Sequence, residues 1–91
     1  FNYLQLATTF YLQVSQHFIQ VFVDVSDDAH IANEEVFGPV LTVLKPFKTI
    51  QEAIDRTNNT CFGLAAGIFT NNINIANMCI AQLKVGTVWV N

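Results

Sequence analysis

The sequence predicts an incomplete α/β fold in which mostly parallel strands alternate with helices. Three observations carry this reading. Apolar, β-branched runs alternate with capped or amphipathic stretches in the order strand, short helix, strand, helix, strand, helix, strand. The links between them are short, which favours right-handed crossovers between parallel strands. Parallel strands are ordinarily covered on both faces, and two good helices cannot cover four strands twice. The chain therefore lacks neighbours that a closed sheet needs.

The elements follow in order. Residues 1–16, "FNYLQLATTFYLQVSQ", carry no charge, and their apolar positions fit neither the helical nor the strand period. A helix is the expectation there, with a buried strand or an unstructured lead-in as alternatives. "HFIQVFVDV", 17–25, is a nearly unbroken β-branched and aromatic run and reads as a buried strand. "SDDAHIANEE", 26–35, opens on Ser and Asp, good N-cap residues, and reads as a short helix or turn. "VLTVLKPF", 40–47, is a second apolar strand, restarted by Pro39 and ended by Pro46.

"TIQEAIDRTNN", 49–59, is the clearest helix. Thr49 and Glu52 form a capping box, Ile50, Ala53, Ile54 and Thr57 share one face, and Asn58-Asn59 stops it. "GLAAGIFT", 63–70, is a third strand whose small residues permit close approach of a helix or ligand. "NNINIANMCIAQLKVG", 71–86, opens on Asn caps, carries the stripe Ile73, Ala76, Ile80, Leu83, and ends at Gly86. "TVWVN", 87–91, is the fourth strand. No internal repeat and no low-complexity tract interrupts this order.

Bulk properties bound the function. Ninety-one residues make one domain or a piece of one. A chain of this size folds alone only marginally. Its composition, 52% apolar with eight Phe, is globular. The net charge is −3, and Lys45, Lys48, Arg56 and Lys84 are scattered, so neither a nucleic acid nor an anionic membrane is the expected partner. The longest apolar run, 61–69, is far below the ~20 residues of a spanning helix. No basic leader precedes the first apolar residues, so no signal peptide is expected. A first residue of Phe rather than Met points to an incomplete or processed chain.

Cys61 and Cys79 fit neither a disulfide framework nor a zinc spacing, so no metal site is expected, and a reducing compartment is. Both read as core thiols. His17 and His30 have no catalytic pattern around them and read as surface. Asn58-Asn59-Thr60 matches a glycosylation acceptor triplet.

The candidate site is "NEEVFGPV", residues 33–40. Two of the seven acids, Glu34 and Glu35, stand together before an aromatic and a Gly38-Pro39 turn. A carboxylate held outside the end of a strand can accept both hydroxyls of a ribose in charge-assisted hydrogen bonds. Phe37, two residues on, can pack on a flat ring. The plainer reading keeps both glutamates as a solvated helix end and Phe37 as core, and spacing by itself leaves the two open.

The blocks Glu34-Glu35-Val36-Phe37-Gly38-Pro39, Asn59 with Gly63-Leu64, and Gly86-Thr87-Val88-Trp89-Val90-Asn91 resemble the NAD(P)-dependent aldehyde dehydrogenase superfamily. They correspond to the C-terminal end of its catalytic domain, over residues about 17–91. Residues 1–16 form an unmatched lead-in. The resemblance is greatest to the tetrameric cytosolic and mitochondrial enzymes that oxidise retinal and small aldehydes. It implies that Glu35 holds the nicotinamide ribose, that Phe37 packs beside the nicotinamide, and that the cofactor is NAD or NADP.

The same resemblance implies that no catalytic residue lies in this chain. The family's nucleophilic cysteine, general base, oxyanion asparagine and glycine-rich cofactor turn belong to segments upstream of E-E-x-F-G-P. Weak or no cofactor binding, and no turnover, are therefore expected of these 91 residues alone. Homo-oligomers or an intact dehydrogenase subunit are the expected partners, an aldehyde the family substrate, and the cytoplasm or mitochondrion the location. The family's F-I-x-P-T is shortened by two residues at Phe18-Ile19-Gln20-Val21, which keeps strand parity but changes the loop into it. An interaction partner of an intact subunit, or a decayed gene product, is the competing reading. A standalone nucleotide-binding module fits poorly, because one ribose contact without a phosphate cradle gives little affinity.

Overall fold

The computed structural model describes Tyr3–Gln5 and residues 19–91. Its elements are β1 (Tyr3–Gln5), β2 (Gln20–Val25), α1 (His30–Asn33), β3 (Val40–Leu44), α2 (Ile50–Asn58), β4 (Ala65–Phe69), α3 (Ile73–Gln82) and β5 (Thr87–Val90). They fall into two compact units, one of residues 10–46 and one of residues 1–9 with 47–91. The strands form a three-stranded sheet, β1-β4-β5, and a two-stranded ribbon, β2-β3. Both β2-β3 and β4-β5 are parallel, as the alternating pattern requires. The helix expected over 1–16 gives way at Tyr3–Gln5, which pair antiparallel to β4; the rest of that segment, with His17, lies outside the described residues.

In the ribbon, Gln20 stands opposite Val40 and Phe22 opposite Thr42, after which the register slips before Val25 meets Leu44. From the first of these three pairs to the last, β2 advances one residue more than β3, which makes a bulge. Asp24 absorbs it with φ of 55°, a left-handed conformation that Asp tolerates better than a β-branched residue. The expected burial of this strand is not found. Val21, Phe22 and Val23 are all exposed, because the described residues of this unit set no layer against them.

Ser26 and its neighbours do not cap α1 as expected. The helix starts four residues later, at His30, with Ala29 at its N-cap and no side-chain cap bond. The intervening residues form a turn instead, with the Ala29 N–H donating to the Ser26 carbonyl and Ser26 Oγ donating to Asp28. Asn33 Nδ2 then ties the far end of α1 back to the carbonyls of Asp27 at 2.8 Å and Ala29 at 2.9 Å.

The second unit has the better core. Thr49 Oγ1 accepts the Glu52 N–H at 3.1 Å, and the Glu52 carboxylate reaches back to the Lys48 N–H at 2.9 Å, one residue before the N-cap whose N–H the reciprocal half of a capping box would take. Ala53 and Ile54 are buried, as the helical spacing predicts. They meet Ala66 and Ile68 of β4 and Cys79 and Leu83 around α3, with Ile50, Ile75, Met78, Val85 and Val88 at the margin. The α3 stripe is corrected. Ile73 and Ile80 are exposed, and Ala76, Cys79 and Leu83 point inward. The helix also stops at Gln82, before Gly86.

The helices cover one face of this sheet. On the other face, Phe69 and the 71%-exposed Trp89 have no covering layer among the described residues of their unit, as the shortage of helices predicts. The loop into β4 and the loop into β5 press together. The Gly86 N–H donates to the Gly63 carbonyl at 2.9 Å, and a Cβ on Gly63 would stand 3.0 Å from the Lys84 carbonyl oxygen. A side chain at 63 would crowd this backbone approach, and the Lys84 carbonyl would have to give way by a few tenths of an ångström.

Candidate functional site

The stretch 33–40 leaves α1 at Glu34, whose N–H closes the helix on the His30 carbonyl at 3.1 Å. Glu34 is extended, with φ −113° and ψ 145°, so consecutive side chains diverge from here on. Its carboxylate turns back along α1 to His30 Nε2 at 3.2 Å, an exposed pair of little energetic weight. Glu35 is exposed and has no hydrogen bond or ion pair among the described residues. The two adjacent acids are thus separated in role by geometry, one returned to its helix and one left in solvent.

Beyond them the chain makes two consecutive three-residue turns. The Gly38 N–H donates to the Val36 carbonyl at 3.0 Å, and the Val40 N–H donates to the Gly38 carbonyl at 2.8 Å. Phe37, at the apex of the first, is 81% exposed. The reading of Phe37 as core is therefore set aside for this chain. A Cβ on Gly38 would meet nothing within 4 Å, so within this unit neither crowding nor left-handed backbone demands that glycine. Pro39 ends the turn with its carbonyl accepting the Gln20 N–H at 2.9 Å, which fixes the turn to the amino ends of β2 and β3. Ligands of open parallel sheets usually sit at the carboxyl ends, so the general sheet rule does not account for this site.

The remaining candidates separate cleanly. Cys79 is buried in the core as expected, and desolvation pushes its thiol up from the ordinary value. Cys61 is exposed, contrary to expectation, because β4 begins four residues later and Cys61 falls in the preceding loop. With a raised pKa Cys79 holds less thiolate at any given pH, and burial hinders access to it. Ellman's reagent at pH 8 should titrate one thiol per native chain quickly, and the second only after denaturation. Two equally fast thiols would contradict the packing of α3. No group of three or more His, Cys, Asp or Glu among the described residues could hold a metal. No helix of the described residues is long and apolar enough to cross a membrane.

Asn58, read from the sequence only as part of the helix stop, also does structural work. Its Nδ2 donates to the Gln82 carbonyl at 2.8 Å, and its Oδ1 accepts the Lys84 N–H at 2.8 Å. It bolts the end of α2 to the segment entering β5. The nitrogen that a glycan at the 58–60 triplet would use is thereby engaged. An open cleft of about 710 Å³ beside it, lined by Arg56, Asn58, Gln82 and Lys84 among others, contains neither Glu35 nor Phe37.

Comparison with known proteins bears on the whole of this pattern. The aldehyde dehydrogenase family model matches residues 16–91. Mitochondrial benzaldehyde dehydrogenase of Antirrhinum majus is 55% identical over 71 residues, covering 78% of this chain and 13% of that protein. Mitochondrial aldehyde dehydrogenase of Homo sapiens is 53% identical over 77 residues, covering 82% of this chain and 15% of that protein. Among solved structures, betaine aldehyde dehydrogenase from Staphylococcus aureus in complex with NAD+ superposes with a TM-score of 0.73 at 43% identity, over 77% of this chain and 14% of that one. The aldehyde dehydrogenase KauB from Pseudomonas aeruginosa does so with the same score and coverage at 41% identity. This chain spans about a seventh of the length of these relatives. With parallel strands, capped helices and motif blocks all in the family's order, the chain belongs to the aldehyde dehydrogenase family.

Proposed function

We propose that this chain is a C-terminal segment of the catalytic domain of an NAD(P)-linked enzyme that oxidises an aldehyde to a carboxylic acid, and that it has no turnover by itself. Glu35 is the ribose-binding carboxylate and Phe37 the ring that packs beside the nicotinamide. The observation that carries this reading is the 33–40 turn. It returns Glu34 to His30 while leaving Glu35 unpartnered and Phe37 exposed, one acceptor and one flat apolar face two residues apart. An unpaired carboxylate suits a vicinal diol, which offers two donors. Bound cofactor supplies the hydride acceptor; these residues orient it and do no bond-making.

Two measurements test this. The purified chain with aldehyde and NAD or NADP should form no NADH or NADPH. A full-length family member carrying residues 16–91 of this chain in place of its own segment should be active. In that chimera Glu35→Gln should raise KM for the cofactor about 10- to 100-fold, the loss expected for hydrogen bonds to a charged group. An active chimera whose cofactor KM is unmoved by Glu35→Gln would sink the assignment. The same proposal places the chain with a small aldehyde substrate in a reducing compartment, cytoplasm or mitochondrion, where two free thiols persist.

A second reading is favoured by the open sheet face bearing Trp89. The chain would then dock on an intact dehydrogenase subunit or a second copy of itself. Co-expression with an intact family member tests this: a stable complex lost in Trp89→Lys supports it, and independent elution contradicts it.

A further inference from the structure

β4 has strands on both sides, but of different origin. On one side the Thr87 N–H donates to the Leu64 carbonyl at 3.1 Å, the Asn91 N–H to the Ile68 carbonyl at 2.9 Å, and the Thr70 N–H to the Asn91 carbonyl at 3.1 Å. The backbone groups of 64, 68 and 70 therefore face β5. Alternation along a strand turns those of Ala65, Gly67 and Phe69 to the opposite edge. That edge meets β1, with Tyr3 opposite Phe69, Leu4 opposite Ile68 and Gln5 opposite Gly67. The pairs 3–69 and 5–67 are thus those that exchange hydrogen bonds, and 4–68 is the non-bonded pair between them.

β1 comes from outside residues 16–91, the part that matches the family, and runs antiparallel where the other pairings are parallel. We propose that this edge of β4 is a strand-acceptor site for a short, uncharged, extended peptide in antiparallel orientation, and that Tyr3–Gln5 fill it in cis. Three features make the edge receptive. Ala65-Ala66-Gly67-Ile68-Phe69 contains no charge and no proline to repel an incoming strand. Ala66 and Ile68 are anchored in the core, so the acceptor is rigid before the strand arrives. Among the described residues β1 contributes three, so its hold is a few backbone bonds and is displaceable.

Hydrogen exchange of the full chain, read amide by amide, tests this. The Gly67 and Phe69 amides should be protected. Gln5→Pro removes a ladder donor and should speed their exchange at least about tenfold while Ala66 and Ile68 hold, whereas Gln5→Ala keeps the backbone donor and leaves all four unchanged. Adding the synthetic peptide FNYLQLATT to the Gln5→Pro chain should restore protection at Gly67 and Phe69, and FNYLPLATT should not. The labelled peptide should bind the unsubstituted chain at least about tenfold more weakly than the Gln5→Pro chain, because β1 competes. Self-association of the Gln5→Pro chain that re-protects Gly67 and Phe69 would show a second copy's strand in the same site. The proposal falls if Gly67 and Phe69 are unprotected from the outset. It falls also if the peptide restores nothing or binds both chains equally. Loss of Ala66 and Ile68 protection in Gln5→Pro overturns it as well, since β1 would then be an integral strand and not a displaceable occupant.

Discussion

Ile54→Ala should unfold the unit that contains α2, β4 and α3. Ile54 is the one large side chain among the described residues with almost no exposure, at 1%. Around it Ala66, Ile68, Cys79 and Leu83 form the buried cluster, held by β4 and α3, and close-packed neighbours relax only partly into the space left behind. Truncating a buried Ile to Ala costs about 2–5 kcal/mol, part transfer and part cavity. A core this small rarely supplies more than about 3–5 kcal/mol in total. The substitution therefore removes most or all of the margin, and the cooperative thermal transition seen by circular dichroism should disappear. Ile54→Val, which costs about 0.5–1.5 kcal/mol, should keep the transition at a lower midpoint. The exposed Ile73→Ala should change stability by no more than about 0.5 kcal/mol. Equal losses at 54 and 73 would contradict the observed burial and favour the stripe read from the sequence.

Asn58→Ala should loosen the entry to β5 without dissolving the core. The side chain holds two backbone groups, the Gln82 carbonyl and the Lys84 N–H, both at 2.8 Å. Each bond contributes about 0.5–1.5 kcal/mol net, and water can reach both groups once the side chain is gone, so about 1–2 kcal/mol in all is expected. Asn58→Asp separates the halves. It keeps the acceptor for Lys84, loses the donor to Gln82, and places a negative charge at the carboxyl end of α2, where the helix dipole opposes it. Its cost should equal or exceed that of alanine at neutral pH and shrink when the carboxylate is protonated at low pH. Chemical denaturation of the Asn58 and Asn59 variants checks the assignment. If Asn59→Ala is the more damaging change, the latch has been placed on the wrong asparagine.

Local chemistry was legible in the residues. Thr49 with Glu52 announced the start of α2, and the spacing of Ala53 and Ile54 announced the face that is buried, because a cap and a 3.6-residue period act over a few positions of chain. The strand-helix alternation gave parallel pairing, since a crossover of this length admits little else. The blocks around 34–39 and 86–91 gave the family.

The sequence by itself determined the order of elements from β2 to β5, the family, and the shortage of layers over the sheet. Tertiary structure alone decided matters that depend on distant parts of the chain. Helical spacing allowed α3 to bury Ile73 and Ile80 as well as Ala76 and Cys79, and only the sheet beneath it selects the second set. Cys61 looked like a core thiol until the start of β4 at Ala65 left it in a loop. Spacing by itself did not separate Glu34 from Glu35, which only the resemblance did; the closing turn of α1 returns Glu34 to His30 and leaves Glu35 without a partner among the described residues. β1 had no readable period because three residues show none, and its place is set by the unpaired amides of β4, which no local pattern encodes.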